Sequence, residues 1–130
     1  MIKLGLAGTW HVHFGGYVRE FLSRGDVEIT ALWDPDAETA RLKGEELGCR
    51  YTTDLDEFCS WDFDAVQVCA ATNIHKEVLI KAANAGKHIF TEKVLTAAYC
   101  DALDVKKAVE EAGIKFCISF PWRSKGDFIW

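Results

Sequence analysis

IKLGLAGTWHVHFGGYVREFL, residues 2–22, is the stretch that decides the fold. Ile2 to Ala7 is a short apolar run closed by Gly8, which suits a buried strand that meets a tight turn. Beyond that turn Phe14, Tyr17, Val18, Phe21 and Leu22 recur at helical spacing, and Gly25 supplies a helix stop. The unit therefore reads strand, turn, helix.

The same alternation continues along the chain. Val27 to Trp33 is strand-like and ends in Asp34-Pro35-Asp36, followed by a helix from about Ala37 to Leu47 with Gly48 as its stop. Tyr51 closes a short third strand, and Thr53 and Asp54 are helix caps for a brief helix through Phe58. Ala65 to Cys69 is a buried strand. Asn73 then caps a helix whose Ile74, Val78, Ala82 and Ala85 share one face, stopped by Gly86. A strand from Lys87 to Phe90 leads into Glu92-Lys93, and a longer helix carrying Ala98, Ala102, Val105, Val109 and Ala112 ends at Gly113 before a last strand, Ile114 to Phe120. Strands alternating with helices through short loops call for a doubly wound α/β domain, with a mainly parallel sheet covered on both faces.

At 130 residues and 49% apolar composition the chain fits one domain with its own core. A net charge of -5 and no basic run longer than Lys106-Lys107 argue against nucleic acid as a partner. No apolar run approaches membrane-spanning length, so no membrane association is expected. Cys49, Cys59, Cys69, Cys100 and Cys117 are odd in number and form no C-x-x-C pair, which points to reduced, packed thiols in a cytoplasmic protein. Phe128, Ile129 and Trp130 form an apolar terminus with no element left to bury them, so the chain reads as one cut from a longer protein.

Candidate functional residues gather at the ends of strands, where open α/β sheets bind ligands. Gly8-Thr9-Trp10-His11-Val12-His13 stands in the register of the dinucleotide motif G-x-G-x-x-G, but only the first glycine is present. The following helix still offers free amides and a positive dipole end to a phosphate. Asp34 ends the second strand about where the motif's acid meets a ribose, and a carboxylate there favours NAD over NADP; an ordinary Asp-Pro turn gives the same residues. Glu92 and Lys93 can supply a charge or a proton at the sheet edge, and a solvated Glu-Lys pair reads identically. His11 and His13 have no Cys, Asp or Glu nearby in sequence, so no metal is expected. His75, one turn into its helix, lies near the same edge.

Taken in order, these residues resemble the N-terminal nucleotide-binding domain of the Gfo/Idh/MocA oxidoreductases. The carriers are Gly8, Asp34-Pro35-Asp36, Asp64-Ala65-Val66, Thr72-Asn73-x-His75, Ala85-Gly86-Lys87-His88 and Glu92-Lys93, with Val94 where the family has proline. The resemblance implies a Rossmann-like domain over residues 1–121, with 122–130 opening the connection to an absent C-terminal substrate domain. It implies that Gly8, Thr9, Trp10, His11 and Val12 hold a pyrophosphate and Asp34 the adenosine ribose. Ala71, Thr72, Asn73 and His75 would line the nicotinamide side, Glu92 would bind the nicotinamide ribose, and Lys93 would be the catalytic contact to substrate. Trp122 and Arg123 sit where the family often places a cofactor-contacting arginine. The implied function is an NAD-dependent oxidoreductase acting on a sugar, polyol or related hydroxyl compound, with a dinucleotide and a small molecule as partners. Rival readings are a non-catalytic module that has lost its dinucleotide, and a family lyase or epimerase that recycles bound NAD. Since family members pair through the absent domain, the fragment could be a monomer or a homo-oligomer joined through exposed apolar surface.

Overall fold

The computed structural model describes residues 1–120. Six strands and five α-helices alternate: β1 (Ile2–Ala7), α1 (Phe14–Ser23), β2 (Val27–Trp33), α2 (Ala37–Leu47), β3 (Arg50–Thr52), α3 (Leu55–Ser60), β4 (Ala65–Val68), α4 (His75–Asn84), β5 (His88–Thr91), α5 (Tyr99–Ala112) and β6 (Phe116–Ile118). The strands form one sheet in the order β3-β2-β1-β4-β5-β6, and every pairing is parallel. The doubly wound α/β class expected from the alternation is the one observed. Chain direction across the sheet reverses between β1 and β4, so the connections leaving their carboxyl ends diverge and open a crevice there.

Strand periodicity assigns each face its helices. Leu4, Leu6, Leu32 and Cys69 lie on one face with Phe14 and Val18 of α1 and Ala40 of α2. Ala7, Ala31, Trp33, Val66, Val68 and Ile89 lie on the other with α3, α4 and α5. Leu6 and Leu32 are fully buried, each contributing on the order of 1.5–3 kcal/mol relative to exposure. Helix ends follow local chemistry at several points: Asp36 accepts from the Thr39 amide at 2.8 Å, Asp54 accepts from the Asp56 and Glu57 amides, and Gly48 and Gly113 close α2 and α5 in the left-handed conformation.

Three local expectations are corrected. Gly25 does not stop α1; the chain leaves the helix at Arg24 in an extended conformation, φ -89° and ψ 135°. Asn73 does not cap α4, because a 3-10 turn over Thr72–Ile74 precedes it and no side chain caps the helix. All five cysteines are free, yet Cys100 and Cys117 are exposed, so packing accounts only for the other three. No helix among the described residues is long and apolar enough to cross a membrane. Trp122 and Arg123, with the whole 122–130 connection, lie outside the described residues.

Gly8 sets the first turn against the sheet. Its φ is +79°, and a Cβ placed on it would lie 2.5 Å from the Ala70 Cα. Because the obstruction is backbone, Gly8→Ala is expected to cost about 2–4 kcal/mol through left-handed strain and overpacking. Chemical denaturation followed by circular dichroism reads this directly, and an unchanged midpoint refutes the close packing of turn on β4.

Candidate functional site

The first turn is tied to the end of β2 through a buried acid. Asp34 accepts hydrogen bonds on Oδ2 from the Thr9 amide at 2.9 Å and the Thr9 hydroxyl at 2.8 Å, and on Oδ1 from the Asp36 amide at 3.0 Å. Three of its roughly four acceptor positions are thereby filled. In front of it lies a cavity of about 300 Å³ whose walls include Gly8, Thr9, Trp10, Pro35, Ala71 and Ile74.

A second cavity, of about 320 Å³, opens on the other side of the turn between Trp10, His11, Val12, Thr72, Lys93 and Val94. Trp10 lines both. Its side chain is 67% exposed and stands where the glycine motif has bare backbone. The His11 amide is bound to the Cys69 carbonyl at 3.0 Å, whereas the Trp10 and Val12 amides donate to no other group among the described residues.

Behind the second cavity sits Glu92, at the end of β5 and fully buried. Tyr17 donates to Glu92 Oε1, His13 Nδ1 meets the same oxygen at 2.8 Å, and the Lys93 amide donates to Oε2 at 3.0 Å. Ser119 is 2.6 Å from the Tyr17 hydroxyl and can donate to it while Tyr17 donates onward. Burial would push the Glu92 carboxyl up, but the donors Tyr17, His13 and the Lys93 amide outweigh it and hold the group below its ordinary range. Burial, with the Glu92 hydrogen bond added, pushes the Tyr17 phenol up to about 12. His11 Nε2 is 3.7 Å from Glu92 Oε2, and burial lowers the imidazole's pKa despite that carboxylate, so it is neutral near pH 7.

A family model described as an oxidoreductase family with an NAD-binding Rossmann fold matches residues 2–120. The chain belongs to the Gfo/Idh/MocA oxidoreductase family. It is 39% identical over 118 residues to an uncharacterized oxidoreductase of Streptococcus pneumoniae and 36% identical over 118 residues to the 2,7-anhydro-N-acetylneuraminate hydratase of Escherichia coli, covering in each case 89% of this chain and 31% of the relative. Myo-inositol 2-dehydrogenase of Thermotoga maritima is 32% identical over 113 residues, covering 85% of this chain and 31% of that one. Among solved structures, scyllo-inositol dehydrogenase from Lactobacillus casei superposes with a TM-score of 0.86 at 22% identity over 96% of this chain and 38% of that one, which shows the shared fold. The chain thus spans about a third of the length of the curated relatives it matches.

Within this Gfo/Idh/MocA domain the residues singled out in the sequence divide into two groups. Gly8, Thr9, Trp10, His11, Val12, Asp34, Ala71, Thr72 and Lys93 converge on the two cavities, Asp34 lining the first. Asn73 is exposed on the 3-10 turn and lines neither. His75 is 1% exposed, its Nε2 facing the Ala70 carbonyl at 2.8 Å and its Nδ1 the Val94 and Leu95 carbonyls at 3.0 and 3.2 Å. It ties α4 to the loops after β4 and β5. Glu92 likewise presents no surface and points inward. Sequence reasoning passed over Tyr17 and Ser119; Tyr17 sits on the apolar face of α1, and its phenol oxygen was the available signal. The carboxylate lacking beside His11 and His13 in sequence comes from Glu92, 79 residues beyond His13.

The lowered Glu92 pKa has a pH signature. Its stabilising contribution is fully present above the unfolded value near 4.5 and is lost as pH falls through the depressed folded value. Glu92→Gln is therefore expected to be less stable than the parent by about 2–3 kcal/mol at pH 7, with the difference shrinking below pH 4.5. Urea unfolding at pH 7 and pH 3.5 checks it, and a gap that widens in acid refutes the assignment.

Proposed function

We propose that this chain is the nucleotide-binding domain of an NAD-dependent oxidoreductase acting on a sugar, polyol or related hydroxyl compound, with residues 122–130 leading to a segment that completes the substrate site. The observation that carries this reading is the placement of Asp34 and Lys93 at two cavities on opposite sides of one turn, at the point where the parallel sheet reverses its winding. Both cavities suit halves of a dinucleotide. The adenosine half fits the Asp34 side, the Trp10 and Val12 amides are left to donate to the pyrophosphate, and the nicotinamide half fits between Thr72 and Lys93. When bound, the nicotinamide supplies or accepts the hydride.

The chain's own residues do the remaining work. Asp34 keeps about one acceptor position for a ribose hydroxyl, and its carboxylate repels a 2'-phosphate, so NAD is preferred. Lys93 is exposed at the mouth of the second cavity. In carbonyl reduction its ammonium stabilises the developing alkoxide and gives it a proton; in the reverse direction the neutral amine takes the hydroxyl proton as hydride leaves the carbon. Glu92 acts as a positioning residue, since it fixes the Lys93 amide and thereby the point from which the lysine side chain starts. Two relatives at 36% and 34% identity carry the name of a hydratase. That favours, as a second reading, an enzyme that returns the hydride within each cycle and shows no net cofactor reduction.

Titration of NADH and NADPH against tryptophan fluorescence tests the cofactor claim: NADH is expected to bind more tightly, and Asp34→Ala to weaken NADH by roughly tenfold. No saturable change with either nucleotide overturns it. In the full-length protein Lys93→Met is expected to lower kcat by about 100-fold or more with the NADH Kd within about twofold of the parent; an unchanged kcat removes Lys93 from the chemistry.

A further inference from the structure

Two imidazoles and a fully buried carboxylate meet at the inner wall of the second cavity, and no step proposed above uses the imidazoles. The ligand-capable atoms of His11, His13 and Glu92 all lie within 4.8 Å of one another. His13 Nδ1 is 2.8 Å from one Glu92 oxygen and His11 Nε2 is 3.7 Å from the other, with the two imidazole centroids 4.8 Å apart. Nitrogen and oxygen ligands on one transition ion, each at about 2.0–2.2 Å, sit roughly 3 to 3.5 Å from each other. The two contacts to the carboxylate bracket that spacing, and the widest separation in the trio, within 4.8 Å, has to close on loading. We infer that His11, His13 and Glu92 form a binding site for a divalent first-row transition ion such as Zn²⁺ or Co²⁺.

The donor set fits imidazole-seeking ions, and the supporting contacts resemble those that hold metal ligands in place. Tyr17, itself bound to Ser119, and the Lys93 amide fix the carboxylate from behind. His11 is 7% exposed, so its rotamer is set by packing. The His13 side chain is 45% exposed and free to make the small rotation the ion requires.

Without an ion, each imidazole turns an N–H toward Glu92. The His13 amide contacts His11 Nδ1 at 3.3 Å, which leaves the His11 proton on Nε2. Loading moves that proton to Nδ1 and gives up the amide contact, a weak one at this distance. Lys93 lines the same cavity and opposes a dication, though as an exposed charge it is largely screened. Three protein ligands leave coordination positions open toward the cavity that His11 lines, where water or an oxygen of a hydroxy or carboxylate ligand completes the shell.

The test is Co²⁺ titration of the full chain after chelator treatment, read by visible absorption and by equilibrium dialysis, with Zn²⁺ as competitor. One Co²⁺ per chain is expected, with the visible bands of an imidazole-bound ion that Zn²⁺ removes. His13→Ala and Glu92→Gln should each weaken binding by about 100-fold or more. Circular dichroism checks the fold of His13→Ala, a change at a half-exposed residue that leaves Tyr17 and the Lys93 amide on Glu92, and this variant decides the matter if Glu92→Gln unfolds. Absence of stoichiometric Co²⁺ binding, or binding unchanged by His13→Ala, overturns the site.

Discussion

A carboxylate with no solvent exposure keeps its charge only if donors replace the water it has lost, and at Glu92 those donors come from separate parts of the chain. Tyr17 reaches it from α1, His13 from the first turn and the Lys93 amide from the loop after β5, while Ser119 after β6 supports Tyr17. Desolvating such a group costs several kcal/mol, so the fold holds together at this edge only with the donors in register. The register in turn fixes Lys93. Its amide is bound to the carboxylate one residue earlier, and the side chain therefore leaves the backbone at a set position beside the cavity.

Asp34 plays the matching part at the other end of the turn. Thr9 binds it through both amide and hydroxyl, whereas His13 binds Glu92 through one ring nitrogen. The turn between β1 and α1 is thus suspended between two acids at the carboxyl ends of β2 and β5. A glycine-rich turn derives its shape from backbone freedom and close approach. Here Gly8 alone keeps that property, with its φ of +79°, and side-chain tethers position the rest. This explains how a turn carrying Trp10 and His13 in place of glycines holds a defined course on the same scaffold.

The element order was legible because periodicity and left-handed glycines are local. Gly48, Gly86 and Gly113 end their helices as the spacing predicts, and the two sheet faces follow the alternation within β1, whereas in β2 a register shift at Thr30 puts Val27 and Ile29 on the same face as Leu32. Arg24 and Asn73 show where local signals lose. A good capping residue at 73 is overridden by a 3-10 turn, and α1 stops before the glycine beyond it because the chain must turn out into β2. At the candidate site, which residues gather at the strand ends was readable and where their side chains point was not. Glu92 was expected to face ligand, yet its rotamer is chosen by Tyr17 and His13, which no spacing rule connects to position 92. The same long-range pairing puts a carboxylate beside two histidines that look isolated in sequence.

Trp10 decides whether the two cavities act as one groove. The indole lines both and blocks nothing by packing, since it is 67% exposed and belongs to neither core cluster. Moving it sacrifices little buried area, and a change of rotamer costs on the order of 1 kcal/mol. For the dinucleotide proposed above, phosphate contacts at backbone amides and a helix amino end would outweigh that cost. The bulk of the side chain therefore sets no barrier that binding could not meet, and once displaced its flat face is available to cover the ligand. What the missing glycines remove is the closest backbone approach, and what the two tethered acids keep is the distance between the two cavities.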